Sequence, residues 1–233
     1  MLQNIKELYG DKLAASDGNI GHVKDFYFDD KRWVIRYLVV DTGNWLSDRQ
    51  VLISPHAFGS WDRDKKILAI KLTRKQIEDS PPIDSHRPVS RQSEHDYYQH
   101  YGWPAYWEGG GMWGIAGFPV DDPSPTPKIR THHGHNQRDD LHLRSTNALT
   151  RYEICATDGA IGTLRSFMVD DKSWAISELV VETGHWLSGK EILIRPGKIE
   201  RISYEESKVY VNLRKAEIEQ TANHSVVSIA PEL

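Results

Sequence analysis

Three groups of side chains in this sequence have types and spacings that could support chemistry. The richest is a histidine cluster made up of His132, His133, His135, Asp139, Asp140 and His142. Imidazole and carboxylate groups are common ligands of transition metals. Structural zinc sites usually add cysteine at defined spacing, and this cluster has none and lies in a glycine- and proline-flanked stretch. We interpret it as a polar linker in which His132, His133 and His135 are the candidate metal ligands.

The other two groups are paired aspartates and a single thiol. Asp29-Asp30 and Asp170-Asp171 could share a proton or bind a cation, but Asp-Asp-Lys is also typical of a tight turn, which we favour. Cys155 stands in an apolar strand context, which predicts a buried and unreactive thiol. The sequence therefore assigns no catalytic residue, and we expect neither an enzyme nor a cofactor.

The fold that must position these groups is encoded twice. Residues 16–80 align with residues 157–221 without a gap at a constant offset of 141, and roughly a third of the positions are identical. Each copy has an Asp-Gly turn signal followed by short runs of alternating apolar residues. This pattern predicts an all-β protein with short helices, consisting of two small closed or nearly closed β-barrels related by internal duplication.

Local signals refine this prediction. Trp33–Val40 is the longest β-rich run and is expected to be a strand that begins at the tryptophan. Gly21 recurs as Gly162, which predicts a bulge or a close backbone approach. Thr73–Gln76 has the spacing of a capping box, whereas the second copy has Arg214 in place of the threonine and must cap its helix differently.

The repeat divides the chain into four predicted segments. They are the first barrel at 1–80, a connecting segment rich in aromatic residues and histidine at 81–148, the second barrel at 149–221, and a C-terminal tail at 222–233. Disordered linkers contain few aromatic residues. We therefore expect part of the connecting segment to pack on a barrel or across the seam between the barrels, with a short helix starting near Ser93.

Composition limits the partners and the compartment. The formal net charge is −4 and the isoelectric point is near 6.3, so the chain has no overall basic character, and we do not expect nucleic acid as a partner. The lone cysteine excludes an internal disulfide and fits a reducing compartment. Without a signal peptide or a long apolar run, the sequence predicts a cytoplasmic protein with no transmembrane segment.

The repeated motif resembles the PRC-barrel domain. In the first copy the resemblance is carried by Asp17, Gly18, Ile20, Gly21, Val23, Asp25, Trp33 and Leu38–Val40. In the second copy it is carried by Asp158, Gly159, Ile161, Gly162, Trp174 and Leu179–Val181, with Ser166 in place of Asp25. This barrel is shared by the cytoplasmic part of the photosynthetic reaction centre H subunit and by ribosome maturation factors. The layout with two copies resembles an uncharacterised bacterial group of tandem PRC-barrel proteins.

The resemblance implies an adaptor or assembly module that binds a protein partner, with possible roles in self-association or at a peripheral membrane complex. The candidate partner-binding residues are the aromatic side chains Trp45, Trp186, Trp103, Tyr106 and Trp107. The same tryptophans could instead be core residues. One alternative is a small-ligand or metal-binding sensor that uses the histidine-rich loop or the barrel seam. A further alternative is a ribosome- or RNA-associated assembly factor.

Overall fold

The structure is a computed structural model that describes residues 1–46, 51–81, 89–114, 117–119, 143–187 and 189–225. The strands are β1 (Leu2–Asn4), β2 (Lys12–Ala15), β3 (Gly18–Asp29), β4 (Val34–Asp41), β5 (Val51–Ile53), β6 (Phe58–Asp62), β7 (Ile67–Ile70), β8 (Leu143–Ser145), β9 (Glu153–Ala156), β10 (Gly159–Asp170), β11 (Ile176–Thr183), β12 (Glu191–Ile194), β13 (Ile199–Ser203) and β14 (Lys208–Val211). The α-helices are α1 (Arg74–Glu78), α2 (Arg91–Tyr101), α3 (Thr146–Leu149) and α4 (Lys215–Ser225). Short 3-10 helices cover Ile5–Leu8, Pro55–Ala57, His185–Leu187 and Pro196–Lys198.

The described residues divide into two compact units, and neither unit is continuous in sequence. The first unit comprises Met1, Lys6–Ser145 and Asp170–Ala175. The second comprises Leu2–Ile5, Thr146–Val169 and the described residues from Ile176 onward. Strand β1, which precedes the first repeat, therefore belongs to the second unit, and strand β8, which precedes the second repeat, belongs to the first unit.

The first unit is built on a seven-stranded sheet. Its strands are paired in the order β5-β4-β3-β2-β7-β6, and β8 adds to β3. The β2–β7 pair is parallel and the other pairs are antiparallel. The centre of its core consists of fully buried apolar side chains, namely Leu13, Phe26, Phe28, Ile35 and Leu38.

The second unit repeats this sheet strand for strand. Its order is β12-β11-β10-β9-β14-β13, again with one parallel pair, β14–β9, and β1 pairs with β10 as β8 pairs with β3. Its core is centred on Ile154, Leu164, Phe167, Leu179 and Val209. Two duplicated, barrel-like, strand-rich units confirm the fold class that the repeat predicted.

The long strands β3 and β10 carry the same irregularities, which allow them to curve. Register shifts in β3 occur at Asn19/Gly21, Val23/Asp25 and Tyr27/Phe28, and β10 has shifts at the equivalent places. At Gly21 and Gly162 an added Cβ would overlap the carbonyl oxygen of Asp41 or Glu182. The close backbone approach predicted for both glycines is confirmed, and only glycine fits there.

The two helix caps also follow the sequence. The Thr73 hydroxyl accepts a hydrogen bond from the Gln76 N–H at 3.1 Å, and the Gln76 side chain accepts from the Thr73 N–H at 2.8 Å. In the second unit the Glu217 carboxylate accepts from the Arg214 N–H at 2.7 Å, so only the returning half of the box is present. The predicted difference between the caps is confirmed.

Two boundaries predicted from the sequence are wrong. Trp33 has φ of +56° and lies in the turn before β4, not in the strand, and Trp174 has the same φ. The Trp33 N–H donates to the Asp29 carbonyl at 2.7 Å, which closes that turn. Helix α2 begins at Arg91 and not near Ser93, because the Ser90 hydroxyl caps it by accepting from the Ser93 N–H.

Candidate functional site

The loop that holds Trp45 presents a half-buried indole on the first unit. The Arg74 guanidinium lies 4.6 Å from the centroid of this ring, within the range of a cation–π contact. Arg74 is the first residue of α1, and its N–H donates to the Asp17 carboxylate at 2.7 Å. The Asp-Gly turn therefore fixes the start of the helix, and the helix places a cation against the tryptophan.

Trp186 on the second unit is held in the same way. Its indole is half-buried, and the Lys215 ammonium lies 5.7 Å from the ring centroid. Lys215 begins α4, and its N–H donates to the Asp158 carboxylate at 3.1 Å. The Trp186 indole N–H also donates to the Ile161 carbonyl at 2.6 Å, which fixes the orientation of the ring.

The described part of the connecting segment packs on the first unit, in agreement with the expectation that part of this segment packs on a barrel. Helix α2 turns Tyr97 and Tyr98 inward, where they are 1% and 2% exposed. The Tyr97 hydroxyl donates to the Leu52 carbonyl at 2.9 Å and accepts from the Ser54 N–H at 3.2 Å. Since β5 is the last strand on its side of the sheet, α2 supplies hydrogen bonds to an edge that would otherwise be unpaired.

A buried carboxylate lies at the centre of this packing. Glu94 is 0% exposed and accepts hydrogen bonds from the hydroxyls of Tyr106 at 2.6 Å and Tyr37 at 2.9 Å. The Arg91 guanidinium pairs with its other oxygen at 3.0 Å. Burial, followed by the nearby Glu94 charge, raises the pKa of Tyr37 and of Tyr106 well above the usual value. Both phenols therefore stay protonated and act as hydrogen-bond donors to Glu94.

Arg36 is a second buried charge beside this network. Its guanidinium lies 3.8 Å from the Tyr106 ring centroid and 4.7 Å from that of Trp113, and it donates to the Met112 carbonyl at 2.8 Å. Burial lowers the pKa of Arg36. Asp29 lies 3.6 Å away as its counter-ion.

Asp29 also stabilises the turn that follows β3. It accepts backbone hydrogen bonds from Lys31 at 3.0 Å and Arg32 at 3.2 Å. Asp170 accepts equivalent bonds from Lys172 and Ser173 in the second copy of the turn. The first aspartate of each pair therefore stabilises its turn, as the sequence favoured, whereas Asp30 pairs with Arg144 at 2.9 Å.

His56 is a further buried titratable group of this unit. Its Nδ1 lies 3.0 Å from the Ser54 hydroxyl, and its ring stacks on Trp103 with centroids 5.3 Å apart. Burial, assisted by the Arg36 charge, lowers the pKa of His56 to about 3. The imidazole is therefore neutral at physiological pH and acts as part of the aromatic packing.

The remaining predicted site residues differ in their positions. Trp103 and Trp107 are half-buried, whereas Tyr106 is 1% exposed and lies in the interior. Cys155 is buried, as predicted, and burial followed by the neighbouring Glu153 carboxylate raises the pKa of its thiol.

The histidine cluster predicted as a candidate metal site, with His132, His133 and His135, lies outside the described residues. Within the described ranges, no group of three or more histidine, cysteine or acidic side chains could hold a metal ion. Among the described helices, none combines the length and the apolar character needed to cross a bilayer.

Sequence reasoning missed Glu94, Arg36 and His56. Each is a polar residue that the local pattern would place on a solvated face, and each has at least one buried contact with a distant part of the chain. The one available signal was the i, i+3 spacing of Glu94 and Tyr97, which puts the carboxylate on the apolar side of the aromatic helix.

Comparison with known proteins defines the class of this fold. Residues 4–78 match the family model of the PRC-barrel domain, which confirms the resemblance for the first repeat. The second repeat shares the fold through the strand-for-strand correspondence described above. Among curated proteins, this chain is similar to an uncharacterized protein of Deinococcus radiodurans, with 31% identity over 113 residues. The aligned part covers 41% of this chain and 40% of that relative, so the chain spans less than half of the relative's length.

Proposed function

We propose that this protein is a non-enzymatic adaptor that binds a protein partner through the two tryptophan loops, those of Trp45 and Trp186. The supporting observation is that each unit holds one half-exposed indole by an equivalent set of contacts with an Asp-Gly turn and the first cation of a helix. A tryptophan held in place contributes a large contact area at low entropic cost. Two such rings on one chain suit a module that brings partners together.

The other aromatic candidates enter this proposal in different ways. Trp103 and Trp107 are half-buried and could extend the contact surface of the first unit. Tyr106 cannot touch a partner while it is buried, so its role is to position the segment by hydrogen bonding to Glu94. The lone cysteine supports a reducing, cytoplasmic setting for the adaptor.

The test compares three proteins as baits in native lysate: the wild type, the Trp45→Ser/Trp186→Ser double variant, and Trp61→Ser. Trp61 is a matched control because it is also half-buried, and Arg63 lies 4.6 Å from its ring centroid. Circular dichroism and thermal melting must first show that all three fold. We expect a protein that is captured by the wild type and by Trp61→Ser and is lost with the double variant.

The captured protein is then purified and its affinity measured by calorimetry. Loss of two aromatic anchors should weaken binding by about tenfold or more. Equal dissociation constants for the wild type and the double variant would contradict the proposal. Salt-sensitive recovery of ribosomes by all three baits would favour the ribosome-associated alternative.

A further inference from the structure

The second unit ends in a strand whose outer edge no other described strand covers. Strand β12 pairs with β11 and with no other strand that the structure describes. Its equivalent in the first unit, β5, lies under α2, where the Tyr97 hydroxyl bonds to the Leu52 carbonyl and to the Ser54 N–H. A strand edge with unpaired backbone groups is a template for pairing with another strand.

The register of β12 shows which of its backbone groups face outward. The Lys190 carbonyl accepts from the Thr183 N–H at 2.9 Å, so Lys190 turns its carbonyl towards β11. This direction alternates from one residue to the next along an antiparallel strand. The backbone groups of Glu191 and Leu193 therefore point away from the sheet, as does the N–H of Arg195, which directly follows β12 in an extended conformation.

The side chains of this edge are available for contact. Leu193 is 51% exposed. Glu191 and Arg195 are exposed, and neither forms an ion pair within the part of the chain that the structure describes. The first repeat has Gln50 and Ser54 at the equivalent positions. Of the two edges, the open one therefore carries a pair of opposite charges, and the covered one does not.

These three residues are complementary to a second copy of themselves. If two β12 strands pair antiparallel about Leu193, each leucine lies opposite its own copy, and each Glu191 lies opposite an Arg195. The outward backbone groups match in the same register, because the two leucines exchange a pair of hydrogen bonds and each Arg195 N–H donates to a Glu191 carbonyl. A shift of two residues would set Leu193 against a charged residue. A parallel pair in register would place like charges side by side, which is unfavourable.

We propose that β12 is an interface through which two copies of this chain form a twofold-symmetric dimer, with the edge strands paired antiparallel about Leu193. The interface is isologous, because the same strand serves both chains. About five residues of each chain take part, far fewer than the roughly 20–30 a side of a standard stable complex. We therefore expect a weak dimer that forms at high protein concentration.

The experiment is sedimentation velocity of the full chain from micromolar to millimolar concentration, which gives the dissociation constant of the dimer. Glu191→Arg and Arg195→Glu each set like charges opposite each other at two places in the dimer, and each should weaken it about tenfold. The double variant Glu191→Arg/Arg195→Glu restores opposite pairs and should recover the wild-type constant. A wild type that stays monomeric at every concentration would leave the edge to another occupant and overturn the proposal.

A matched control separates pairing at this edge from a general effect of charge. Glu200→Arg makes the same change of charge at an exposed position of β13, at the opposite end of the strand order, and should leave the constant unchanged. Thermal melting checks that all the variants fold. Equal weakening by Glu200→Arg and Glu191→Arg would contradict the proposal, and so would a double variant that dimerises no better than the single ones.

Hydrogen exchange locates the contact. The amides of Leu193 and Arg195 become hydrogen-bonded in the dimer, so their exchange should slow as the concentration rises, whereas the Ile194 amide already faces β11 and should not change. Exchange of the first two amides that is independent of concentration would place the contact elsewhere and refute the proposal. The Trp45→Ser/Trp186→Ser variant should dimerise like the wild type, so this result stands apart from the test of the tryptophan loops.

Discussion

The same edge of the sheet has opposite surroundings in the two units. Leu52 on β5 is 3% exposed beneath helix α2, whereas the equivalent Leu193 on β12 is 51% exposed. The strand pairings around both residues are equivalent, so the sheet itself does not explain the difference. The connecting segment covers the edge of the first unit and thereby decides whether this leucine is a core residue.

The neighbouring side chains follow the same division. Buried Tyr37, His56 and Ala57 of the first unit correspond to Glu178, Gly197 and Lys198 of the second unit. In the second unit Glu178 is partly exposed, and Gly197 and Lys198 are exposed. The duplicated backbone thus supports an aromatic, covered face in one unit and a polar, hydrated face in the other.

The largest expected effect comes from removing the side chain that joins α2 to the edge strand. Tyr97→Ala should lower the free energy of unfolding of the first unit by about 3–5 kcal/mol, because it deletes a fully buried ring. The measurement is chemical denaturation followed by circular dichroism. A loss below about 1 kcal/mol would show that α2 does not stabilise this face.

Tyr97→Phe provides the matched control, since it keeps the ring and removes only the hydroxyl that bonds Leu52 and Ser54. It should cost about 1–2 kcal/mol. Hydrogen exchange of the Ser54 amide should become faster in this variant. An unchanged rate would mean that the hydroxyl does not protect that amide.

The leucine pair tests the comparison directly. Leu52→Ala should cost about 2–4 kcal/mol in the first unit, because a buried leucine leaves a cavity. Leu193→Ala should cost no more than about 0.5 kcal/mol in the second unit, because half of that side chain is already in contact with water. Both values come from denaturant titration of the single variants, and similar costs at the two positions would refute the contrast.

Acid should destabilise the first unit through His56. The native imidazole has its pKa lowered to about 3, whereas the unfolded imidazole takes up a proton below about 6.5. The unfolded state therefore binds more protons between these values, and stability falls as the pH is lowered from about 6.5 towards 3, by up to about 1.4 kcal/mol per pH unit. Above about pH 6.5 this contribution is fully present.

His56→Phe keeps an aromatic ring against Trp103 and removes the titration. It should flatten the dependence of stability on pH within that window, as measured by denaturation at a series of pH values. His95→Phe changes an exposed histidine of α2 and should leave the slope as it is in the wild type. The hypothesis fails if both variants retain the same slope.

The smallest expected effects concern the two helix caps. Thr73→Ala removes a full capping box from α1 and should cost about 1 kcal/mol. Glu217→Ala removes the single carboxylate bond at the start of α4 and should cost about 0.5 kcal/mol. Thermal melting of both variants checks the order, and a larger cost for Glu217→Ala would reverse our ranking of the caps.

Much of the fold could be predicted because its signals are local and occur twice. The Asp-Gly turns, the glycines at close approaches and the cap at Thr73 each depend on a few neighbouring residues. Trp33 could not be placed correctly from its β-rich neighbourhood. Its positive φ is held by a turn bond to Asp29 and by packing on Phe28, with ring centroids 5.4 Å apart.

The site was less predictable because its contacts join distant parts of the chain. The repeat drew attention to Trp45 and Trp186, but their half-burial depends on cations that begin helices about 30 residues later in the chain. Glu94 meets Tyr37 across a separation that no local pattern encodes. The pairing of β1 with β10 is also non-local, and a strand of three residues gives no signal for its partner.

The grouping of Leu2–Ile5 with the second unit has a consequence for biosynthesis. Strand β1 leaves the ribosome well before its partner β10 is made. The first unit likewise waits for β8 and for Asp170–Ala175, which follow its own repeat in the chain. Domains generally fold one after another during translation. Here the first unit cannot be completed before Ala175 is made, and the second needs strands as late as β14, so nascent chains expose two unfinished sheets at once.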